Sequence, residues 1–395
     1  IMWLLFQMTF TLGTPPMEWI DAGITRFGEY LDMLLPGGLL KSLLIEGVIG
    51  GVGGVIVFLP NIMLLFLGIS FLEATGYMAR AAFVTDKMMH AVGLHGKSFI
   101  PLNLGFGCSI PAIMATRTLE NTRDRLATIL IIPLMSCGAR LPVYTLLTAA
   151  FFDKKIAGNI LFSVYLAGII LAMVMAKLFR TLLLPGESEP FVMELPAYRL
   201  PTLKSVLIQM WIRAWHYLKK AGTVILAASL IIWMLFSFPA VNAQGMPHPD
   251  PSSQMEYSYA GRIGHLIEPV IKPLGFDWKT GIALLAGFSA KEVVVSTLGT
   301  LYSIEDIRSL EEGEENAIAG FAERVREQSD YTPLVAYVLM LFVLLYVPCL
   351  ATVAIVYRET NSWKWPLFLV LYTLSLAWIV SFVVYRAGLL LQVGV

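Results

Sequence analysis

Residues 105–117 read Gly105-Phe106-Gly107-Cys108-Ser109-Ile110-Pro111-Ala112-Ile113-Met114-Ala115-Thr116-Arg117, a thiol and a hydroxyl among glycines and a proline inside an otherwise apolar run. Glycine and proline break helices, and irregular backbone at membrane depth is tolerated only where protein or a water-filled cavity receives the freed backbone groups. Transporters build ion sites from such interrupted helices. Two other stretches have the same character. Pro133-Leu134-Met135-Ser136-Cys137-Gly138-Ala139-Arg140-Leu141-Pro142 again brackets a Ser and a Cys with prolines, and Val347-Pro348-Cys349 opens a run that ends at Tyr357-Arg358. Cys108 to Arg117 and Cys349 to Arg358 have the same separation, nine residues, which reads as an internal repeat.

The composition agrees with a membrane setting. The chain has 395 residues, 57% hydrophobic and 14% charged, with a mean hydropathy of +0.72, which marks a polytopic membrane protein rather than a soluble domain. Its net charge of zero offers no basic field for nucleic acid. The three cysteines lie apart in apolar spans, so they form no disulfide framework. Ile1 stands in a hydrophobic run without a basic n-region, which is read as no signal peptide and as the interior of something longer.

Working outward, the pattern predicts an all-α polytopic protein of about ten membrane segments. Residues 1–40 are expected to hold the tail of a first span, ended by Pro15-Pro16, and an amphipathic interfacial helix over 17–36. Residues 41–184 form a first repeat. Its apolar stretch from Leu39 to Tyr77 is too long for one span of roughly 20 residues and is split near Pro60-Asn61. G-x-x-x-G spacings within Gly47–Gly54 let a neighbour approach closely. Arg80–Lys97 reads as a polar loop, Ser98–Thr116 as the broken segment, and Arg117–Arg125 as a basic turn. Residues 185–220 form a basic, Trp-rich cytoplasmic linker. Residues 221–395 form a second repeat, with spans at 221–238 and 280–302, an external loop at 239–279 and an acidic cytoplasmic insert at 303–331. With 117–125 and 179–220 on the cytoplasmic side, the Cys108 and Cys349 segments run in opposite directions and the two repeats are inverted. The loops 239–279 and 303–331 carry three Lys+Arg each, so charge counting does not orient the second half.

A buried cysteine by itself reads as a small hydrophobe. Cys108 with Ser109, Cys137 with Ser136, and Met114 and Met135 nearby add soft sulfur donors that suit iron better than magnesium or calcium. Cys349 ranks below them because its flanks lack the serine and methionine. Glu73 and Glu292 are the acids to weigh, since intramembrane carboxylates are costly and by default functional. Each has a plain alternative, Glu73 paired with Arg80 and Glu292 with Lys291. Asn103 offers an amide carbonyl to a cation or a cap for broken backbone. His90 and His95 are five apart, not i, i+4, and residues 91–98 mimic a P-loop with Ala91 where the first glycine belongs. Neither is read as a site.

The pairing of GFGCSIPAIMATRT (residues 105–118) with PLMSCGARLPVY (133–144), preceded by Glu73-Ala74-Thr75-Gly76-Tyr77-Met78-Ala79-Arg80 and followed by Ser289-Ala290-Lys291-Glu292-Val293, resembles the membrane region of the ferrous iron transport protein B family, FeoB. The resemblance covers nearly all of the chain. It implies a gate-type fold of two inverted repeats with broken helices in a bacterial inner (cytoplasmic) membrane, passing Fe2+ inward with Cys108 and Cys137 as ligands or gate residues. It also implies a GTP-binding domain ahead of this region, not contained in this sequence, through which GTP and Mg2+ would act. Small cytoplasmic accessory proteins and a homo-oligomer are the further partners it implies, besides membrane lipid. An inverted-repeat transporter of a nucleoside or another divalent cation is the alternative. An intramembrane hydrolase is a third, against which stands the lack of H-E-x-x-H and of a Ser–His pair at compatible depth.

Overall fold

The structure is a computed structural model that describes residues 2–36, 38–185, 198, 201–239, 255–302, 315–328 and 331–392. Among these the regular structure is helical throughout, with no strand. Helices satisfy their backbone groups internally, as a waterless surrounding requires.

The first helix, α1 (Met2–Leu34), continues through Pro15 and Pro16. The proline pair therefore does not end it, because proline's fixed φ is itself helical and the lost hydrogen bonds are few beside the packing of a long helix. Within 39–77 the break falls at Phe58, between α2 (Gly50–Val57) and α3 (Leu59–Ala74). Pro60 occupies the first turn of α3, where its missing N–H has no intrahelical partner to lose. The expected loop at 80–97 is mostly helix, α4 (Tyr77–Ala91), which buries Met78, Ala82 and Met89 among its polar residues. α3 and α4 meet at 81°, around Gly76 with φ +78°, a left-handed conformation that only glycine adopts without strain.

Next come α5 (Phe99–Gly105) and α6 (Ser109–Ala115), the two halves of the broken segment. α7 (Thr122–Ile131) and α8 (Leu141–Phe151) flank the second cysteine through two 3-10 turns, Ile132–Leu134 and Gly138–Arg140. α9 (Lys154–Leu178) is unbroken. α10 (Leu203–Ser237) joins the basic linker to the expected span at 221–238 in one helix. It passes close to α2, where a Cβ on Gly51 would lie 2.4 Å from the side chain of Ser229. The expected external loop contains α11 (Tyr259–Ile271), while residues 240–254 of it lie outside the described residues.

The expected span at 280–302 is in fact two helices, α12 (Trp278–Ala286) and α13 (Val293–Leu301), separated at Gly287–Glu292. A Cβ on Gly287 would lie 2.3 Å from Val294 and 2.5 Å from the Tyr346 hydroxyl, so the chain can fold back here only over a glycine. Of the acidic insert, α14 (Glu315–Gln328) is described and residues 303–314 are not. α15 (Pro333–Leu345) and α16 (Leu350–Thr360) flank Cys349, and α17 (Lys364–Leu391) ends the chain's helices.

The order of broken pair, broken pair and long helix thus occurs twice: α5/α6, α7/α8, α9, then α12/α13, α15/α16, α17. Burial agrees. The α7–α8 and α15–α16 stretches are 67% and 83% buried, whereas the long helices are 28% and 22% buried. The break-to-break hydrogen bonds also agree, with Gly138 N donating to Gly107 O (3.2 Å) and Leu350 N to Phe288 O (2.9 Å). In each case the donor follows a cysteine. Cys349 therefore corresponds to Cys137, not to Cys108 as the nine-residue spacing suggested. That spacing reflects only that α6 and α16 each begin just after a cysteine and run to a basic end.

Among the described residues, four helical stretches are long and apolar enough to cross a membrane, or five if α3 and α4 count as one bent span. This is fewer than the expected ten.

The basic ends of α6 and α7 are tied to α16. Glu359, whose side chain is 4% exposed, accepts from Arg117 Nε (2.9 Å) and Nη2 (2.6 Å) and from Arg125 Nη2 (2.7 Å). The Glu359 hydrogen bond raises the Arg117 pKa. Glu359→Gln keeps the shape but removes the charge from both pairs, and is expected to destabilise the fold by about 1–2 kcal/mol, the scale of a charge-assisted hydrogen bond with exposed partners. A lower thermal midpoint in detergent is the expected result, and an unchanged one would show that the triad contributes nothing.

Candidate functional site

All three cysteines stand at helix breaks, where the chain must be irregular. Cys108 is the N-cap residue of α6, Cys349 that of α16, and Cys137 precedes the 3-10 turn that leads into α8. The breaks converge on one cavity of about 230 Å3. Cys108, Cys137, Cys349, Ser109 and Glu292 line it together. Cys349, which sequence reasoning ranked below the other two, shares the cavity with them, and its Sγ lies 3.1 Å from the Thr352 hydroxyl.

Other candidates lie elsewhere. Glu73 is half exposed and paired with Arg213 at 2.7 Å, not with Arg80, whose guanidinium lies over the Tyr198 ring and donates to Gly76 O. Ser136 is buried and donates to the Tyr144 hydroxyl at 3.4 Å. Met135 packs beneath Gly105, where a Cβ would approach it to 3.0 Å, and Met114 is half-buried on α6 outside the cavity lining. The Asn103 backbone carbonyl accepts from Phe106 N at 3.2 Å, and the residue is not among the cavity-lining residues.

Two buried cations at the cavity wall hold the broken ends in place. Arg140, 2% exposed, donates to Pro133 O (3.1 Å) and Met135 O (3.0 Å). Lys291, 3% exposed, donates to Val347 O and sits 3.1 Å above the Tyr346 ring. Carbonyls at the C-terminal end of a helix have no intrahelical donor and carry the negative end of its dipole, so a cation is their natural partner. Both capped carbonyls, Met135 O and Val347 O, lie two residues before a cysteine. Lys291 thus has a partner other than the expected Glu292.

Sequence reasoning did not single out Arg140, Ser289, Asn61, Thr9 or Ser229, which also line the cavity. A signal existed for Arg140, since a charge inside an apolar stretch is functional by default. None existed for Thr9 or Ser229, which reach the cavity only through the packing of α1 and α10. The remaining described lining is small or aliphatic, and Phe58 is the sole aromatic side chain among the described lining residues. Among the described residues no group of three or more His, Cys, Asp or Glu is placed to hold a metal ion, so the thiols border the cavity without closing into a cage.

Lys291→Met preserves length and contact with Tyr346 but leaves the buried Val347 carbonyl without its donor. A loss of about 1–3 kcal/mol is expected, the cost of an unsatisfied buried group, read as a lower denaturation midpoint. Lys291→Arg should recover part of it.

Comparison with known proteins adds the following. Residues 55–151 and 218–363 match the Gate family, described as nucleoside recognition, and residues 161–213 match FeoB_C, the ferrous iron transport protein B C terminus. An Fe(2+) transport protein A/Fe(2+) transporter FeoB fusion protein of Porphyromonas gingivalis is 48% identical over 98% of this chain and 49% of its own length. The Fe(2+) transporter FeoB of Campylobacter jejuni is 47% identical over 97% of this chain and 61% of its own, and that of Leptospira biflexa 43% over 99% and 57%. The chain therefore spans about half to three-fifths of the length of these relatives. No solved structure matches it.

Proposed function

The chain belongs to the Gate family and is related to the FeoB transporters along nearly its whole length, and from that premise we propose that it is the membrane module that passes Fe2+ across a bacterial inner membrane. The observation that carries this reading is the meeting of three thiols and one carboxylate in a single cavity made of helix breaks. Soft sulfur donors favour a borderline metal over magnesium or calcium. The open arrangement suits conduction, since an ion bound in a closed cage would not leave.

In this reading Cys108, Cys137 and Cys349 are the soft contacts along the path, with Ser109 and Glu292 beside them. Glu292 brings negative charge to a wall whose two cations are turned toward backbone carbonyls. Ser136, Met135, Met114 and Asn103 shape the breaks from behind. The two repeats are inverted and supply about ten membrane segments if each broken pair crosses as one unit and the long helices cross singly. The Arg117–Arg125 end is cytoplasmic, by the bias of basic residues. A GTP-binding domain in the full-length protein gates the module, and this chain itself performs no catalysis. The fused relative's name makes a small Fe(2+) transport protein A a natural partner.

The Gate description raises nucleosides as the other cargo. A nucleobase site would favour aromatic and amide contacts, and among the described lining residues these come only from Phe58 and Asn61. The thiols and the relatives' names favour iron.

The test is Fe2+ uptake into proteoliposomes under reducing conditions, compared with Zn2+ and Mn2+. Cys108→Ser, Cys137→Ser and Cys349→Ser should each cut uptake severalfold, and the Cys108/Cys137 double variant should be little worse than either single one, because residues sharing one ion couple whereas packing positions add. Normal transport by all three single variants, or loss that follows unfolding, would remove the cysteines from the path.

The two acids give a separate comparison. Glu292→Gln should lower uptake with the fold intact. Glu73→Gln breaks only a half-exposed pair, worth about 0–1 kcal/mol, and should transport normally. The opposite pattern would move the path to the α3–α10 surface.

A further inference from the structure

The two halves can be matched residue by residue at their breaks. α5 ends at Gly105 and α12 at Ala286. Two residues beyond each end, Gly107 O and Phe288 O accept the backbone N–H of the residue that follows Cys137 or Cys349, Gly138 or Leu350. The next residue is Cys108 in the first half and Ser289 in the second. Helix end and cross-break hydrogen bond give the same register. The α12/α13 break is longer than the α5/α6 break, so the N-cap position that Cys108 also occupies passes to Glu292.

Resting on the reading of the cavity as an Fe2+ path, we infer that Ser289 is a fourth ion-facing position, the counterpart of Cys108, and that its oxygen in place of sulfur keeps the cavity's hold on the ion loose. Cys108 and Cys137 in one half then answer to Ser289 and Cys349 in the other, and all four line the same cavity. Ser289 is 7% exposed, and its Oγ donates its hydrogen to Ala286 O at 2.8 Å. That bond fixes the hydroxyl and polarises its oxygen, leaving the lone pairs for a cation, as an outer-shell acceptor does for a metal ligand. A neutral oxygen is a weaker partner than sulfur for a soft metal. One such position among three thiols keeps the site selective without trapping its cargo.

Cd2+, a soft ion that binds thiolates, tests this in the purified chain in detergent through thiolate-to-metal charge-transfer absorption. Ser289→Cys should intensify the absorption and tighten Cd2+ binding at least about tenfold, the lower scale on which residues around a metal alter its affinity. In proteoliposomes the same variant should slow Fe2+ passage through retention of the ion. Ser289→Ala, which removes the oxygen, should lower Fe2+ uptake severalfold at an unchanged melting temperature, and it decides the matter if the cysteine variant does not fold. Wild-type absorption that Ser289→Cys leaves unchanged, or normal uptake by Ser289→Ala, overturns the role of Ser289 and leaves the thiol path standing. Absence of any absorption in both wild type and Ser289→Cys overturns the thiol path and this inference with it.

Discussion

A helix broken inside an apolar surrounding leaves carbonyls and amides that no water can satisfy, and the core of this structure is arranged around that cost. Arg140 and Lys291 meet the carbonyls at the ends of the two most buried broken helices. Two backbone hydrogen bonds, Gly138 to Gly107 and Leu350 to Phe288, join each break to its neighbour. An unsatisfied buried polar group costs about 1–3 kcal/mol, so four uncapped breaks would outweigh much of a stability that is typically about 5–15 kcal/mol.

The same caps resolve an apparent conflict at the candidate site. A cavity for a divalent cation with an arginine and a lysine in its wall would repel its cargo if both charges faced inward. Both are instead directed at backbone carbonyls in the helix breaks, and Lys291 also lies on an aromatic face. Helix dipole and ring quadrupole offset much of their field. The polar chemistry that lines the cavity besides these cations is Glu292, the Asn61 amide, hydroxyls and thiols. Each capped carbonyl lies two residues before a cysteine, so the cation fixes the backbone that leads into that cysteine.

At the opposite end of α6 and α16, Glu359 gathers Arg117 and Arg125. α6 and α16 each begin at a cavity cysteine and run toward this cluster. The carboxylate is nearly fully buried while both arginines keep contact with solvent. That geometry limits the desolvation penalty to one partner, which favours a net stabilising pair.

Much of this was legible in the sequence. Helical class follows from apolar length, and the breaks at Cys108 and Cys137 follow from glycine and proline, because these residues act locally on their own backbone. Cysteine with serine in such a break identifies candidate ligands without any fold. The break at Gly287–Glu292 was less legible, since a lone glycine in an apolar run does not announce a turn; its need arises from Val294 and Tyr346 packed against it. Proline likewise misled at Pro15-Pro16, where a local rule gave way to the length of the helix. The surroundings of Glu73 and Glu292 required tertiary structure, because both are acids in apolar company and only packing pairs Glu73 with Arg213 and brings Glu292 into the cavity lining. The true partner of Cys349 was hidden for the same reason. Its nine-residue spacing to a basic residue is a property of one helix, whereas its equivalence to Cys137 lies in a hydrogen bond between segments about sixty residues apart. Sequence determines where the backbone can break, and three-dimensional packing decides which breaks meet.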